Sequence, residues 1–304
     1  MYFKVFLFII RLFLKLLSIK TERIFMMNLL FAIDKKSISL LQTCLWSIWK
    51  NGGESSYEVY VFHTELEEKE QRHLEKSLPS EIRWNFIFVP TELFEGFVTT
   101  KRYPKEIYYR LAAPYLLPKT LDRILYLDVD TIVLHSLWPL YTMDFEGNWF
   151  MGCTNTHIPL QKFNQVRLGI DVEKDIPYIN TGVLMMNLPL LREHLHFEDI
   201  REFSEKKKNA LILPDQDILT GLYGEHVKLI DNLHYNLSDR TLMAYNADIR
   251  NVGIDESWVR ENAVIIHYFG RNKPWKKGYV GILDVFYKEI EEEYTKYWFS
   301  LGSS

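Results

Sequence analysis

Asp128 and Asp130 are the residues of this chain best placed to do chemistry. They follow Arg123-Ile124-Leu125-Tyr126-Leu127, a short apolar run without helical spacing. Such a run reads as a strand buried on both faces, in a parallel sheet. Side chains at i and i+2 of an extended chain point the same way, so the two carboxylates can meet one hard cation. Ligands of open α/β sheets lie outside the carboxyl ends of strands, which is where this pair falls. His267 ends a second apolar run, Val264-Ile265-Ile266. A lone histidine is more often structural than ligating, but this one repeats the strand-end placement of Asp130. Two carboxylates and an imidazole leave positions open for phosphate oxygens and suit Mn²⁺, with Mg²⁺ as second choice. Lys273 then offers a point charge to the same phosphates; its plainer reading is a solvated lysine among Arg271, Lys276 and Lys277.

Other candidates lie at element ends. Asn180-Thr181-Gly182 precedes the apolar Val183–Met186, where Asn and Gly alone mean a turn. Asp215-Gln216-Asp217 opens a helix behind Pro214, where acidic residues also serve the helix N-terminus. There is no G-x-G-x-x-G after the first strand and no Walker lysine motif. A bound nucleotide must therefore be held by a metal and scattered side chains.

The elements that position these residues alternate. Strands are expected at Asn28–Ile33, Tyr57–His63, Ile82–Val89, Val183–Asn187, Val227–Ile230 and Val264–Tyr268. Helices are expected at Ile38–Trp49, Leu66–Leu78, Ile107–Leu117, Asp215–Tyr223 and Leu283–Trp298. That alternation argues for βαβ units around a parallel sheet. The 304 residues are 47% hydrophobic and 25% charged, which excludes disorder. A net charge of -4 gives no case for nucleic acid. Cys44 and Cys153 have neither metal spacing nor a disulfide framework, which points to a reducing, cytoplasmic compartment. Residues 1–26 stand apart as an N-terminal extension. Within residues 1–25, Lys4, Arg11, Lys15, Ser18 and Glu22 form one stripe of a helical wheel otherwise made of Phe, Leu and Ile. This suits a helix lying in a membrane surface, on the inner face of the cell membrane; the alternative is an over-extended reading frame ahead of Met26 and Met27.

Four motifs in order carry a resemblance: Leu125-Tyr126-Leu127-Asp128-Val129-Asp130, Tyr178-Ile179-Asn180-Thr181-Gly182-Val183, Asp215-Gln216-Asp217-Ile218-Leu219, and His267-Tyr268-Phe269-Gly270-Arg271-Asn272-Lys273-Pro274-Trp275. Over roughly residues 27–280 the chain resembles glycosyltransferase family 8, which includes bacterial lipopolysaccharide galactosyl- and glucosyltransferases and the glycogenins. The resemblance implies an α/β GT-A nucleotide-sugar fold: a single domain with a Rossmann-like, mostly parallel central sheet flanked by helices. A C-terminal helix over residues 281–304 is expected to follow it. It implies retaining transfer of galactose or glucose from a UDP-hexose to a glycan, lipid-linked or protein-linked acceptor.

Residue by residue, Asp128, Asp130 and His267 match the family's manganese ligands, and Val129 lies between the first two. Lys273 matches a diphosphate-binding lysine, with Gly270 in the same motif. Ala32 and Asp34 match positions that hold uracil, and Arg110 an arginine near the donor sugar. Asn180 and Thr181 match donor contacts, Asp215 a carboxylate on sugar hydroxyls, and Gln216 the residue beside the anomeric carbon. Two departures stand out. Lys36 and Ser37 occupy positions where many members have Asn and an aromatic residue, and Glu289, Glu291, Glu292 and Glu293 stand where some members carry a basic tail. Rival readings are a self-glucosylating glycogenin-like protein, a metal-dependent nucleotidyltransferase, and a non-catalytic UDP-sugar-binding protein. The segment Thr154–Pro177 is expected to be a loop over the site that helps choose the acceptor.

Overall fold

The computed structural model describes residues 26–53, 56–99, 105–154 and 158–302. The N-terminal extension expected over residues 1–25 lies outside the described residues.

Hydrophobic alternation builds the sheet. Strands β1 (Met26–Ala32), β2 (Ser56–His63), β3 (Ile82–Phe88) and β4 (Arg123–Leu127) run parallel, as expected. The order of the seven-stranded sheet is β3-β2-β1-β4-β7-β6-β8, with β6 (Phe150–Cys153), β7 (Asn180–Asn187) and β8 (Val227–Leu229). Here the parallel expectation meets its limit. Strand β7 is antiparallel to both β4 and β6, so β4 sits between one parallel and one antiparallel neighbour. Both faces of β4 are nonetheless buried. Leu125 and Leu127 join Leu29, Phe31, Val183 and Met185 on one side. Ile124 and Tyr126 join Leu30, Leu184 and Met186 on the other. Period-two alternation inside a continuously apolar run is what a central strand covered on both faces requires.

Helix α1 (Ile38–Asn51) crosses from β1 to β2 and buries Leu41, Cys44, Leu45 and Ile48, one stripe at helical spacing. It ends at Gly52, where a Cβ would lie 2.5 Å from the Ile48 carbonyl oxygen, so only glycine fits the approach. Helix α2 (Glu68–Ser77) follows β2, slightly shorter than its sequence pattern. The helix expected at Ile107–Leu117 divides. Lys105–Ala112 is a 3-10 helix, and only Ala113–Leu116 (α3) is α-helical, with Pro114 in its first turn. Proline lacks the N–H that would continue the earlier turn.

After β4 come β5 (Thr131–Val133) and α4 (Trp138–Thr142). The expected loop Thr154–Pro177 contains a helix, α5 (Ile158–Leu168). Its hydrophobic positions do not recur on one face, which is why the sequence read as a loop. Helices α6 (Leu188–His194), α7 (Phe197–Lys207) and α8 (Pro214–Tyr223) follow β7. Next come α9 (Asn232–Tyr235), α10 (Asp239–Ala247) and α11 (Glu256–Asn262). The strand expected at Val264–Tyr268 is shorter, β9 (Ile265–His267), and leaves the main sheet to pair antiparallel with β5. That ribbon sets His267 opposite Thr131, directly after the two aspartates. Helix α12 (Asp284–Leu301) buries Phe286, Tyr287, Ile290 and Tyr294 against the core beneath α1.

Candidate active site

The aspartates do not converge by strand extension. Strand β4 ends at Leu127, and residues 128–130 lie in a turn. The Asp128 N–H donates to the Gly182 carbonyl at 2.8 Å, and the Tyr268 N–H to the Asp130 carbonyl at 2.9 Å. These backbone bonds fix the turn between β7 and the β5–β9 ribbon. Asp130 Oδ1 lies 3.1 Å and Asp128 Oδ2 3.7 Å from His267 Nε2. One ligand atom from each residue falls within 4.8 Å of the others. Val129 turns away and packs against the core.

The tautomer of His267 follows from its neighbours. The Gly182 N–H donates to Asn180 Oδ1 at 3.0 Å, so that atom is an oxygen. The same oxygen takes Asn236 Nδ2 at 3.2 Å, which leaves Asn236 Oδ1 facing His267 Nδ1 at 2.8 Å. An amide oxygen only accepts, so Nδ1 carries a proton and Nε2 is the nitrogen left to face the aspartates. Asn236 and His267 are fully buried. Gly182 keeps this contact open: a Cβ there would meet His267 Cε1 at 2.1 Å and Asp128 Oδ2 at 2.6 Å. Oxygen, oxygen and imidazole nitrogen facing one point form a donor set that fits a divalent cation of the Mn²⁺ or Mg²⁺ type.

Charge around this point is closely matched. Lys273 Nζ bonds Asp130 Oδ2, and also the Tyr268 carbonyl at 2.7 Å, with its ammonium over the Trp275 ring. Its solvated-surface reading is therefore set aside. Burial acts to raise the Asp130 carboxyl, but the His267 imidazole and the Lys273 ammonium prevail and hold it below the usual carboxylate range. Arg110 is almost fully buried. It donates to Asp128 Oδ1 at 3.1 Å and to the Thr181 carbonyl at 2.6 Å, and stacks on Tyr126. Tyr126 also donates its hydroxyl to Asp128 Oδ1 at 2.7 Å.

Asp215 and Asp217 take different roles. Asp215 Oδ2 accepts from Thr181 Oγ1 at 2.6 Å and lies 3.6 Å from Arg110 Nη1. Burial pushes its carboxyl above the ordinary value, against the pull of Arg110 and Thr181. Asp217 turns the other way, into a buried bidentate pair with Arg167 of α5 at 2.6 and 2.9 Å. Between the two, the Gln216 side chain makes no hydrogen bond among the described residues and lines the cleft.

That cleft has a volume of about 480 Å³. It gathers Arg110, Asp128, Asp130, Asn180, Thr181, Asp215, Gln216, His267 and Gly270. Ala32 and Asp34 are not part of its wall. They lie at the end of β1, whose register places Leu30 beside Tyr126, so the chain leaves the sheet next to the aspartate turn. Asp34 accepts from Ser37 Oγ at 2.6 Å. Sequence reasoning missed Asn236, Arg240 and Phe269. Asn236 precedes an ordinary Leu-Ser pair, and its signal appears only once it is seen touching His267.

An α/β sheet thus brings an acidic turn, a histidine ribbon and a carboxylate-amide helix start to one cleft. The model of glycosyl transferase family 8 matches residues 28–278. The chain belongs to that family.

Among curated relatives, lipopolysaccharide 1,2-glucosyltransferase of Escherichia coli is 23% identical, over 83% of this chain and 73% of the relative. Lipopolysaccharide 1,3-galactosyltransferase of Salmonella typhimurium is 22% identical, over 82% and 72%. Among solved structures, the galactosyltransferase LgtC in complex with donor and acceptor sugar analogs superposes with a TM-score of 0.75. It is 27% identical, over 88% of this chain and 96% of that one. With that coverage, the GT-A architecture expected from the sequence is the architecture found.

Proposed function

We propose that this glycosyltransferase moves a hexose, galactose or glucose, from a UDP-sugar to a glycan or lipid-linked glycan acceptor with retention of configuration, in the cytoplasm. The observation that carries the reading is the meeting of Asp128, Asp130 and His267 with Arg110, Asp215 and Gln216 in one cleft of a family 8 chain. The names of the lipopolysaccharide hexosyltransferases support the hexose and the acceptor class. Two buried free thiols fit a reducing compartment.

Asp128, Asp130 and His267 would hold the divalent cation, Mn²⁺ in first place. When bound, it supplies Lewis-acid stabilisation to the departing diphosphate. Lys273 adds positive charge on the same side once a phosphate oxygen competes for it with Asp130. Asp215 offers a carboxylate to sugar hydroxyls, held in place by Thr181 and Arg110. Asn180 offers to the donor its amide N–H₂, which has no hydrogen bond among the described residues. Ala32 and Asp34 stand where the base would lie. Gln216 presents an amide, a weak nucleophile whose dipole suits positive charge developing on the ring. Front-face attack by the acceptor hydroxyl beside the leaving phosphate therefore fits better than a covalent glycosyl-Gln216. In that step the C–O bond to UDP breaks, the acceptor oxygen bonds to the same face, and UDP takes the hydroxyl proton.

A panel of UDP-sugars with Mn²⁺, read as UDP release with and without glycan acceptors, tests the proposal. One UDP-hexose is expected to be turned over, activity to vanish in chelator, and Mn²⁺ to restore it best. Full turnover in chelator rejects the metal site, and a β-linked product seen by NMR rejects retention.

A further inference from the structure

Beside the cleft lies a hollow of about 570 Å³ between the start of α9 and one side of α10. Asn232, Thr241, Tyr245 and Asp248 line it, and it shares Arg240 and Phe269 with the cleft itself. The two spaces are therefore continuous past the guanidinium of Arg240 and the ring of Phe269.

We propose that this hollow is an acceptor subsite for a glycan that carries a negative charge, and that Arg240 reads the charge; the inference rests on the glycosyltransferase reading above. Arg240 is exposed and makes no ion pair or hydrogen bond among the described residues; its guanidinium sits 6.0 Å over Phe269. Other cations of the site are committed. Arg110 is held by Asp128 and Asp215, and Lys273 by Asp130. The acid in the hollow is committed too, since Asp248 holds Arg250 through both carboxylate oxygens.

Helix stability does not explain the arginine. Arg240 is the second residue of α10, where the helix dipole disfavours a cation. The helix start is already capped by Ser238, whose side chain accepts the Thr241 N–H at 3.2 Å. Recognition does explain it. A planar guanidinium suits a phosphate or carboxylate in bidentate fashion. The cleft beyond it carries Asp128, Asp130 and Asp215, so an anionic acceptor needs a compensating cation on the approach. Phe269 offers a flat apolar face for the C–H side of a pyranose. The Tyr245 hydroxyl, without a hydrogen bond among the described residues, is free to take a sugar hydroxyl.

The test uses the full chain with UDP and Mn²⁺ on immobilised glycans in three forms: neutral, phosphorylated, and carboxylated. Wild type is expected to be retained on charged glycans over neutral ones, and less so as salt rises. The phosphorylated and carboxylated arms decide which anion is read. Arg240→Gln is expected to lower the charged-to-neutral ratio tenfold or more, and Arg240→Lys to restore part of it. Equal retention on neutral and charged glycans, no retention on any, or a preference that survives Arg240→Gln overturns the subsite. UDP release separates the two failures. A wild type that turns over UDP-hexose but ignores charge sinks only the subsite, whereas one that turns over no UDP-hexose sinks the functional reading and the inference with it.

Discussion

Asn236 shows how one buried side chain prepares a ligand. Its amide oxygen takes the Nδ1 proton of His267 and its amide nitrogen is spent on Asn180, so the imidazole can present only Nε2 to the aspartates. Outer partners of this kind typically change metal affinity by about 10–100-fold. Asn236→Ala should weaken Mn²⁺ binding by that factor, read from the electron-paramagnetic-resonance signal of free Mn²⁺, while Asn236→Asp, which keeps an acceptor at Nδ1, should bind more tightly than the alanine variant. Unchanged Mn²⁺ affinity in Asn236→Ala would show that the imidazole needs no such partner. Asp215 is the opposite case, a functional group held at a cost. Its folded carboxyl titrates above the ordinary value because burial penalises the ionised form. For such a group, stability falls as pH rises from the unfolded to the folded value, and the cost is complete above both. Asp215→Asn should therefore melt higher than wild type at neutral pH and lose transferase activity. The gap in melting temperature should close as pH falls to the ordinary carboxylate range; a variant that melts lower at neutral pH would refute the argument.

At the scale of elements, much was legible where local pattern and tertiary need agree. The runs at Asn28, Tyr57, Ile82 and Arg123 are short and apolar without helical spacing, and each is a strand here, the one at Ile82 a half-buried edge strand. The site motifs were legible because they fall at element ends. What was not legible depends on pairing. Nothing local tells Val183–Asn187 to run against β4, or Ile265–His267 to leave the sheet for β5. The Lys105–Ala112 segment keeps helical periodicity, yet Pro114 and its packing tighten it to a 3-10 helix. Helix α5 escaped the sequence reading, and its role rests on one pair. Arg167 joins it to Asp217 of α8, the helix that presents Asp215 and Gln216. Asp217 also receives the Tyr178 hydroxyl and the N–H groups of Ile212 and Leu213. Arg167→Met would strand a fully buried carboxylate, a loss of about 3 kcal/mol. Denaturant unfolding should show that loss, and adding Asp217→Asn to the same chain should recover part of it. A single variant as stable as wild type would mean that the hydroxyl and backbone donors suffice for Asp217 alone.

At the scale of the whole molecule, the question is how the cleft would meet the lipid-linked acceptor proposed above. No helix among the described residues is long and apolar enough to cross a membrane. On helix α12, Glu289 pairs with Arg260, Glu292 with Lys296 and Glu293 with Lys50, and the chain as a whole carries a net charge of -4. That face offers an anionic bilayer no excess of positive charge. Residues 1–25 have the opposite balance: Lys4, Arg11, Lys15, Lys20 and Arg23 against Glu22, among Phe, Leu and Ile. Apolar burial and attraction to anionic headgroups act together for a segment of this composition, and salt weakens the second of the two. The full chain is therefore expected to sediment with vesicles that contain anionic lipid, and to be partly released by raised salt. A chain beginning at Met27 should stay in the supernatant and still turn over UDP-hexose with an acceptor free in solution, because the described residues that line the cleft run from Ile107 to Gly270. Equal partitioning of the two chains would remove residues 1–25 as the membrane contact, and loss of turnover in the shorter chain would instead assign the segment a part in the folded domain.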